Sequence, residues 1–251
     1  MGLSGRQLAA RLADIDLVIF DKDGTLIDFD SMWAGWIVGV ADVLERHVGW
    51  PLRDELFVAL GFDAEAGHAI AGGPLAAAPM GELRSMTVAS VRAIAGLDGA
   101  AAEEAVRIAW QPPDPVASAA PLADLPALFA ALRRRGTRVA VATSDDRAPT
   151  MATLEALAAL PLVDAHACAD DGIPVKPAPG MVVALCAELG VAPERTAVVG
   201  DAPADLAMAR AAGVGLVVGV LSGVGSAADL GPLADALIPS IATLAELVGG
   251  H

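Results

Sequence analysis

The stretch Ile15-Asp16-Leu17-Val18-Ile19-Phe20-Asp21-Lys22-Asp23-Gly24-Thr25-Leu26 decides how this chain is read. Its apolar run predicts a buried strand, and the run stops abruptly at two carboxylates two residues apart. Gly24 behind them permits a tight turn. Open α/β sheets bind ligands beyond the carboxyl ends of their strands, where these acids would stand. Two aspartates so close repel one another unless a cation intervenes, and hard oxygen donors near water suit Mg²⁺. The segment marks the chain as an enzyme candidate.

Downstream, from Thr137, the chain alternates strand-like and helix-like segments. Strands are predicted at 138–142, 163–167, 196–199, 215–220 and 236–238, with helices at 148–159, 179–189, 204–212 and 241–248. This spacing implies parallel βα units with helices on both faces of a sheet. Upstream of it, between Asp28 and Pro115, the strand pattern vanishes. Helices are predicted at 32–46, 53–60, 81–95 and 101–110, and all four tryptophans fall in this segment. It closes in Gln111-Pro112-Pro113-Asp114-Pro115, a stiff linker that excludes helix. The fold expected is therefore an α/β, Rossmann-like parallel-sheet core, residues 1–28 and 116–251, with an inserted all-helical cap, residues 29–115. The Gly72–Pro79 stretch is expected to be a loop within the cap, and the tryptophans to pack it.

Composition narrows the partners. Of 251 residues, 55% are hydrophobic, ample for a core. The formal net charge of −15 excludes nucleic acid and anionic membranes as main partners, since both need a basic surface. No bilayer-spanning run and no signal peptide are read, and two cysteines, Cys168 and Cys186, fit buried thiols in a reducing compartment. A cytoplasmic protein, monomer or homodimer, is expected. Only two of the sixteen Lys and Arg residues are lysines, Lys22 and Lys176, and both lie in motifs.

Four chemical signals sit just past strands or at helix starts. They are Asp21-x-Asp23-Gly24-Thr25-Leu26, Thr143-Ser144, Lys176-Pro177-Ala178-Pro179, and Gly200-Asp201-Ala202-Pro203-Ala204-Asp205. In order and spacing the set resembles the four motifs of the haloacid dehalogenase superfamily, and the insert resembles the cap of its phosphoglycolate phosphatase and β-phosphoglucomutase branches. The resemblance covers nearly the whole chain. It implies a Mg²⁺-dependent phosphatase acting on a small phosphorylated metabolite through an aspartyl-phosphate. Asp21 would be the nucleophile and Asp23 the general acid and base. Thr143, Ser144 and Lys176 would bind the phosphoryl group, and Lys176 would hold Asp21 ionised. Asp21, Asp23 (through its carbonyl) and Asp201 would ligate the metal, with Asp205 behind them. Ala202 departs from the pattern, where relatives often carry a hydroxyl.

The residues beside these motifs read differently. Lys22 is assigned a packing or surface role, and Asp145 and Asp146 read as solvated acids at a helix start. Substrate choice falls to the cap, where His68 and Arg84 flank the Gly/Pro-rich loop. The alternatives are a β-phosphoglucomutase-like phosphomutase and, more remotely, an inactive phosphate-binding regulator. The first needs a second anion site, which the scattered cap Arg and His do not suggest. The second would have lost an aspartate, and both are present.

Overall fold

The computed structural model describes residues 2–249. Six parallel strands form the sheet: β1 (Leu17–Phe20), β4 (Arg138–Ala142), β5 (Ala165–Ala167), β6 (Thr196–Gly200), β7 (Leu216–Val220) and β8 (Ala236–Ile238). Their order is β5-β4-β1-β6-β7-β8. The chain leaves β1 toward β4 and β5, then crosses back to β6 on the other side. β1 is thus the switch point, where such sheets open a crevice beyond their carboxyl ends.

All four residues of β1 are buried, as a central parallel strand requires. Val18 and Phe20 face one layer, made by α1 (Gly5–Leu12), α7 (Leu125–Arg134) and α12 (Ile241–Gly249). Leu17 and Ile19 face the other, made by α9 (Gly180–Leu189) and α10 (Pro203–Ala212). The helix α8 (Arg147–Ala156) follows β4, and the four-residue α11 (Ala227–Leu230) follows β7. Cys168 and Cys186 are free and buried. Among the described residues no helix is long and apolar enough to cross a membrane.

Between β1 and α7 the chain forms α2 (Phe29–Val48), α3 (Arg53–Leu60), α5 (Met80–Ala95) and α6 (Gly99–Ala109), which share a hydrophobic core of their own. Gly49, Gly61 and Gly96 stop three of these helices in the left-handed conformation that glycine adopts freely. The expectation of an all-helical cap needs correction: β2 (Phe62–Asp63) and β3 (His68–Ala69) pair as a short antiparallel ribbon, and α4 (Pro74–Ala77) interrupts the expected loop. Two-residue strands are too short to leave an alternating pattern in the sequence.

The aromatic residues run as a ladder: Trp33 and Trp36 meet edge to face at 5.6 Å, and Trp36 and Trp110 at 4.9 Å. Trp36 Nε1 donates to Gln111 O at 2.7 Å, which ties α2 to the proline linker. Trp50 is a correction, since it is 56% exposed and stands outside the cap's hydrophobic core. The two crossings between cap and sheet lie side by side, with Asp28 N donating to Ala120 O at 2.8 Å and Leu122 N to Leu26 O at 3.0 Å.

Candidate active site

β1 ends where its neighbours end, so Asp21, Thr143 and Asp201 emerge together above the sheet. They line one cleft with Asp23, Ser144, Lys176 and Asp205. Asp21 N donates to Val199 O at 2.9 Å, continuing the strand ladder and fixing the direction of the side chain. Lys176 Nζ reaches Asp21 Oδ1 at 2.5 Å and Asp205 Oδ1 at 2.6 Å, with its side chain 4% exposed. Burial opposes a charge on Lys176, but Asp205 and Asp21 outweigh it and hold the ammonium protonated well above its ordinary range.

Asp201 is buried and gripped from several sides. Its Oδ1 accepts from Thr25 Oγ1 at 3.0 Å and its Oδ2 from Val224 N at 2.9 Å. Two glycines make room for it: a methyl group on Gly24, at φ +83°, or on Gly223 would collide with the Asp201 carboxylate. Asp205 Oδ2 accepts from Ala202 N at 3.0 Å, so this acid closes the start of α10 as well as pairing with Lys176. The hydroxyl missing at position 202 leaves that backbone contact intact.

Carboxylate oxygens of Asp21, Asp201 and Asp205 all lie within 4.8 Å of one another. Burial is the main force raising Asp21, to about 7 despite Lys176, and it raises Asp201 well above its ordinary value, with Asp21 and Asp205 adding repulsion. The side-chain triad adds Asp205 to the expected Asp21 and Asp201; the side chain of Asp23 pairs with Lys22, and its expected contact with the metal is through the backbone carbonyl. Three buried carboxylates, two of them sharing Lys176 and the third without a cationic partner among the described residues, fit a divalent cation.

Lys22 requires correction. It is fully buried, and its Nζ bridges Asp23 Oδ1 at 2.8 Å and Asp145 Oδ2 at 3.2 Å. Burial alone would discharge it; the two carboxylates overcome that and raise it. Asp145 is likewise no solvated acid. It is buried, its N–H donates to Thr143 Oγ1 at 3.1 Å, and its Oδ1 accepts from Asp146 N at 2.8 Å. Asp146 alone is partly open, at the start of α8. The signal that could have found this bridge is the scarcity of lysine: both lysines of the chain are buried between pairs of aspartates.

The cap side of the cleft is hydrocarbon: Phe29, Trp33, Leu75, Met80 and Leu83, with the alanines 76–78. His68 and Arg84 do not line it. His68 borders a separate groove with Asp28 and Asp30, and Arg84 pairs with Glu103 at 2.9 Å.

A strand-tip aspartate with one oxygen held by lysine stands beside a second acid and a carboxylate triad, all in one cleft. Residues 15–213 match the model of the haloacid dehalogenase-like hydrolase family. The chain is 33% identical over 214 residues to a phosphoglycolate phosphatase of Rhodospirillum rubrum, covering 80% of this chain and 78% of that one. It is 31% identical over 236 residues to a Dickeya dadantii protein named "Probable phosphatase IndB", covering 93% and 92%. In fold it matches the crystal structure of a "predicted phosphoglycolate phosphatase" of Haemophilus somnus at a TM-score of 0.65, with 18% identity and 93% and 98% covered. The chain belongs to the haloacid dehalogenase-like hydrolase family and is a phosphatase.

Proposed function

We propose that the chain hydrolyses a small organic phosphate monoester through an aspartyl-phosphate on Asp21, with Mg²⁺ as cofactor. The observation that carries this reading is Asp21 itself: Lys176 holds its Oδ1, and no described group donates to its Oδ2 in the cleft. The R. rubrum relative supports the same chemistry.

Oδ2 of Asp21 attacks phosphorus as the ester P–O bond breaks, and Asp23 gives its proton to the departing alkoxide. Asp23 then takes a proton from water, which attacks the same phosphorus, frees phosphate and restores Asp21. Thr143 Oγ1 accepts from Asp145 N and keeps its own proton for a phosphoryl oxygen, beside the Ser144 amide. A bound Mg²⁺, held by Asp21 and Asp201 with the Asp23 carbonyl, would offset the repulsion between carboxylate and phosphate dianion. The hydrocarbon cap wall holds no second anion site, which supports hydrolysis over mutase chemistry. The partner is a small phosphorylated metabolite met in the cytoplasm by a monomer or homodimer, and the charge of −15 argues against nucleic acid and membrane surfaces.

A screen of phosphorylated metabolites with Mg²⁺ and with EDTA tests the reading: phosphate release is expected only with the metal. A single turnover in H₂¹⁸O should place one heavy oxygen in phosphate and none in Asp21. Conversion of a hexose 1-phosphate to its 6-phosphate faster than phosphate release would replace hydrolysis with mutase chemistry.

A further inference from the structure

The substrate's other half meets a surface of one kind. Over the catalytic floor the cap presents Phe29, Trp33, Leu75, Met80 and Leu83, and none of its cations lines the cleft. Trp33, Met80 and Asp145 also line a neighbouring groove, walled further by Met32, Trp110 and Pro112 among other apolar groups. The groove has a volume of about 400 Å³, room for a leaving group of several atoms beside the floor.

Charge points the same way. Five acids stand at the floor or directly behind it: Asp21, Asp23, Asp145, Asp201 and Asp205. Only Lys22 and Lys176 answer them, each shared between two of those acids. A divalent cation would still leave the site acidic. Arg84 lines the groove but is paired with Glu103 at 2.9 Å, and the groove's other charged groups are Asp145 and Asp146.

We propose that the leaving group is an uncharged, hydrocarbon-rich alcohol lying against Trp33 and Met80, and that esters with a second anion, phosphoglycolate included, are rejected. This inference rests on the phosphatase reading and names its substrate class. Apolar contact favours each buried methylene, and with Arg84 already paired to Glu103 a carboxylate there would meet hydrocarbon and a net negative floor.

The test compares kcat/KM with Mg²⁺ for ethyl, n-butyl and benzyl phosphate against 2-phosphoglycolate, all alkyl esters. A gain of roughly threefold to fourfold per added methylene is expected. Benzyl phosphate should exceed phosphoglycolate by at least about tenfold, the smallest effect a like-charge clash would give. As inhibitors, propylphosphonate should bind more tightly than 3-phosphonopropionate, which differs by its carboxylate. Met80→Arg, at a half-buried position, should narrow the benzyl-to-phosphoglycolate ratio. Phosphoglycolate turned over as fast as ethyl phosphate would overturn the inference and leave the phosphatase reading standing. Failure of every ester, p-nitrophenyl phosphate included, would remove both.

Discussion

On the sheet side the cleft presents Asp21, Asp23, Thr143, Lys176, Asp201 and Asp205, and on the cap side Phe29, Trp33, Leu75, Met80 and Leu83. The polar groups stand on strand tips or helix starts and are held by named partners, so their positions follow from a rigid backbone. The cap groups are held by hydrocarbon packing and an aromatic ladder. The difference teaches that the two halves answer to different demands. The floor must place charge to within fractions of an ångström, whereas the wall need only fill space and exclude water.

The sharpest way to break this comparison is at Asp21, the proposed nucleophile. Asp21→Asn should lower turnover by at least about 10⁴-fold with the fold intact, because an amide neither attacks phosphorus well nor ligates a cation well. Circular dichroism and phosphate release measure the two sides; substantial activity would remove Asp21 from its role. Asp23→Ala should cost about 10²–10⁴-fold with alkyl esters. The loss should shrink with p-nitrophenyl phosphate, whose leaving group needs no proton, once the first step is shown to limit the rate. Equal losses would sink the acid assignment.

Lys22→Met asks whether the buried bridge stabilises the floor. It strands Asp23 and Asp145 without their cation and should destabilise the fold by about 3 kcal/mol, read from urea unfolding. Acidity offers a milder probe. In metal-free protein Asp21 is raised to about 7 from an ordinary 3.8. The folded state therefore holds the proton more tightly, and stability present below the ordinary value is lost as pH rises through about 7. Denaturation midpoints should fall from pH 5 to pH 8 without Mg²⁺, and added Mg²⁺ should restore more at pH 8. A midpoint that rises over that range would contradict the assignment.

The smallest effect is expected on the cap. Trp36→Phe loses the bond to Gln111 O and part of the edge contact with Trp110, for about 1 kcal/mol. Turnover of ethyl phosphate should barely change, since the cleft is not lined by Trp36. A drop comparable to that of Asp23→Ala would show that the wall does more than exclude water.

Much of the floor was legible in the sequence for a local reason. A buried strand ending in a polar residue declares its own tip, and Asp21, Thr143 and Asp201 each follow such a run. Arg138–Ala142 and Ala236–Ile238 are strands at the positions their patterns predict, and Arg53–Leu60 is the predicted helix. The two-residue ribbon at Phe62–Asp63 and His68–Ala69 left no comparable trace, being shorter than any period can show.

What the sequence determined by itself is the order of strand tips and the residue types upon them, because hydrophobic period and turn chemistry act over a few neighbouring residues. What only the tertiary structure decided is who faces whom. Lys22 became a buried bridge because Asp145, on the tip of β4, lies within its reach. His68 and Arg84 were turned away from the cleft, and Trp33 and Met80 toward it. Those outcomes depend on how α2 and α5 are rotated over the sheet, a relation between residues distant in the chain that no local pattern encodes.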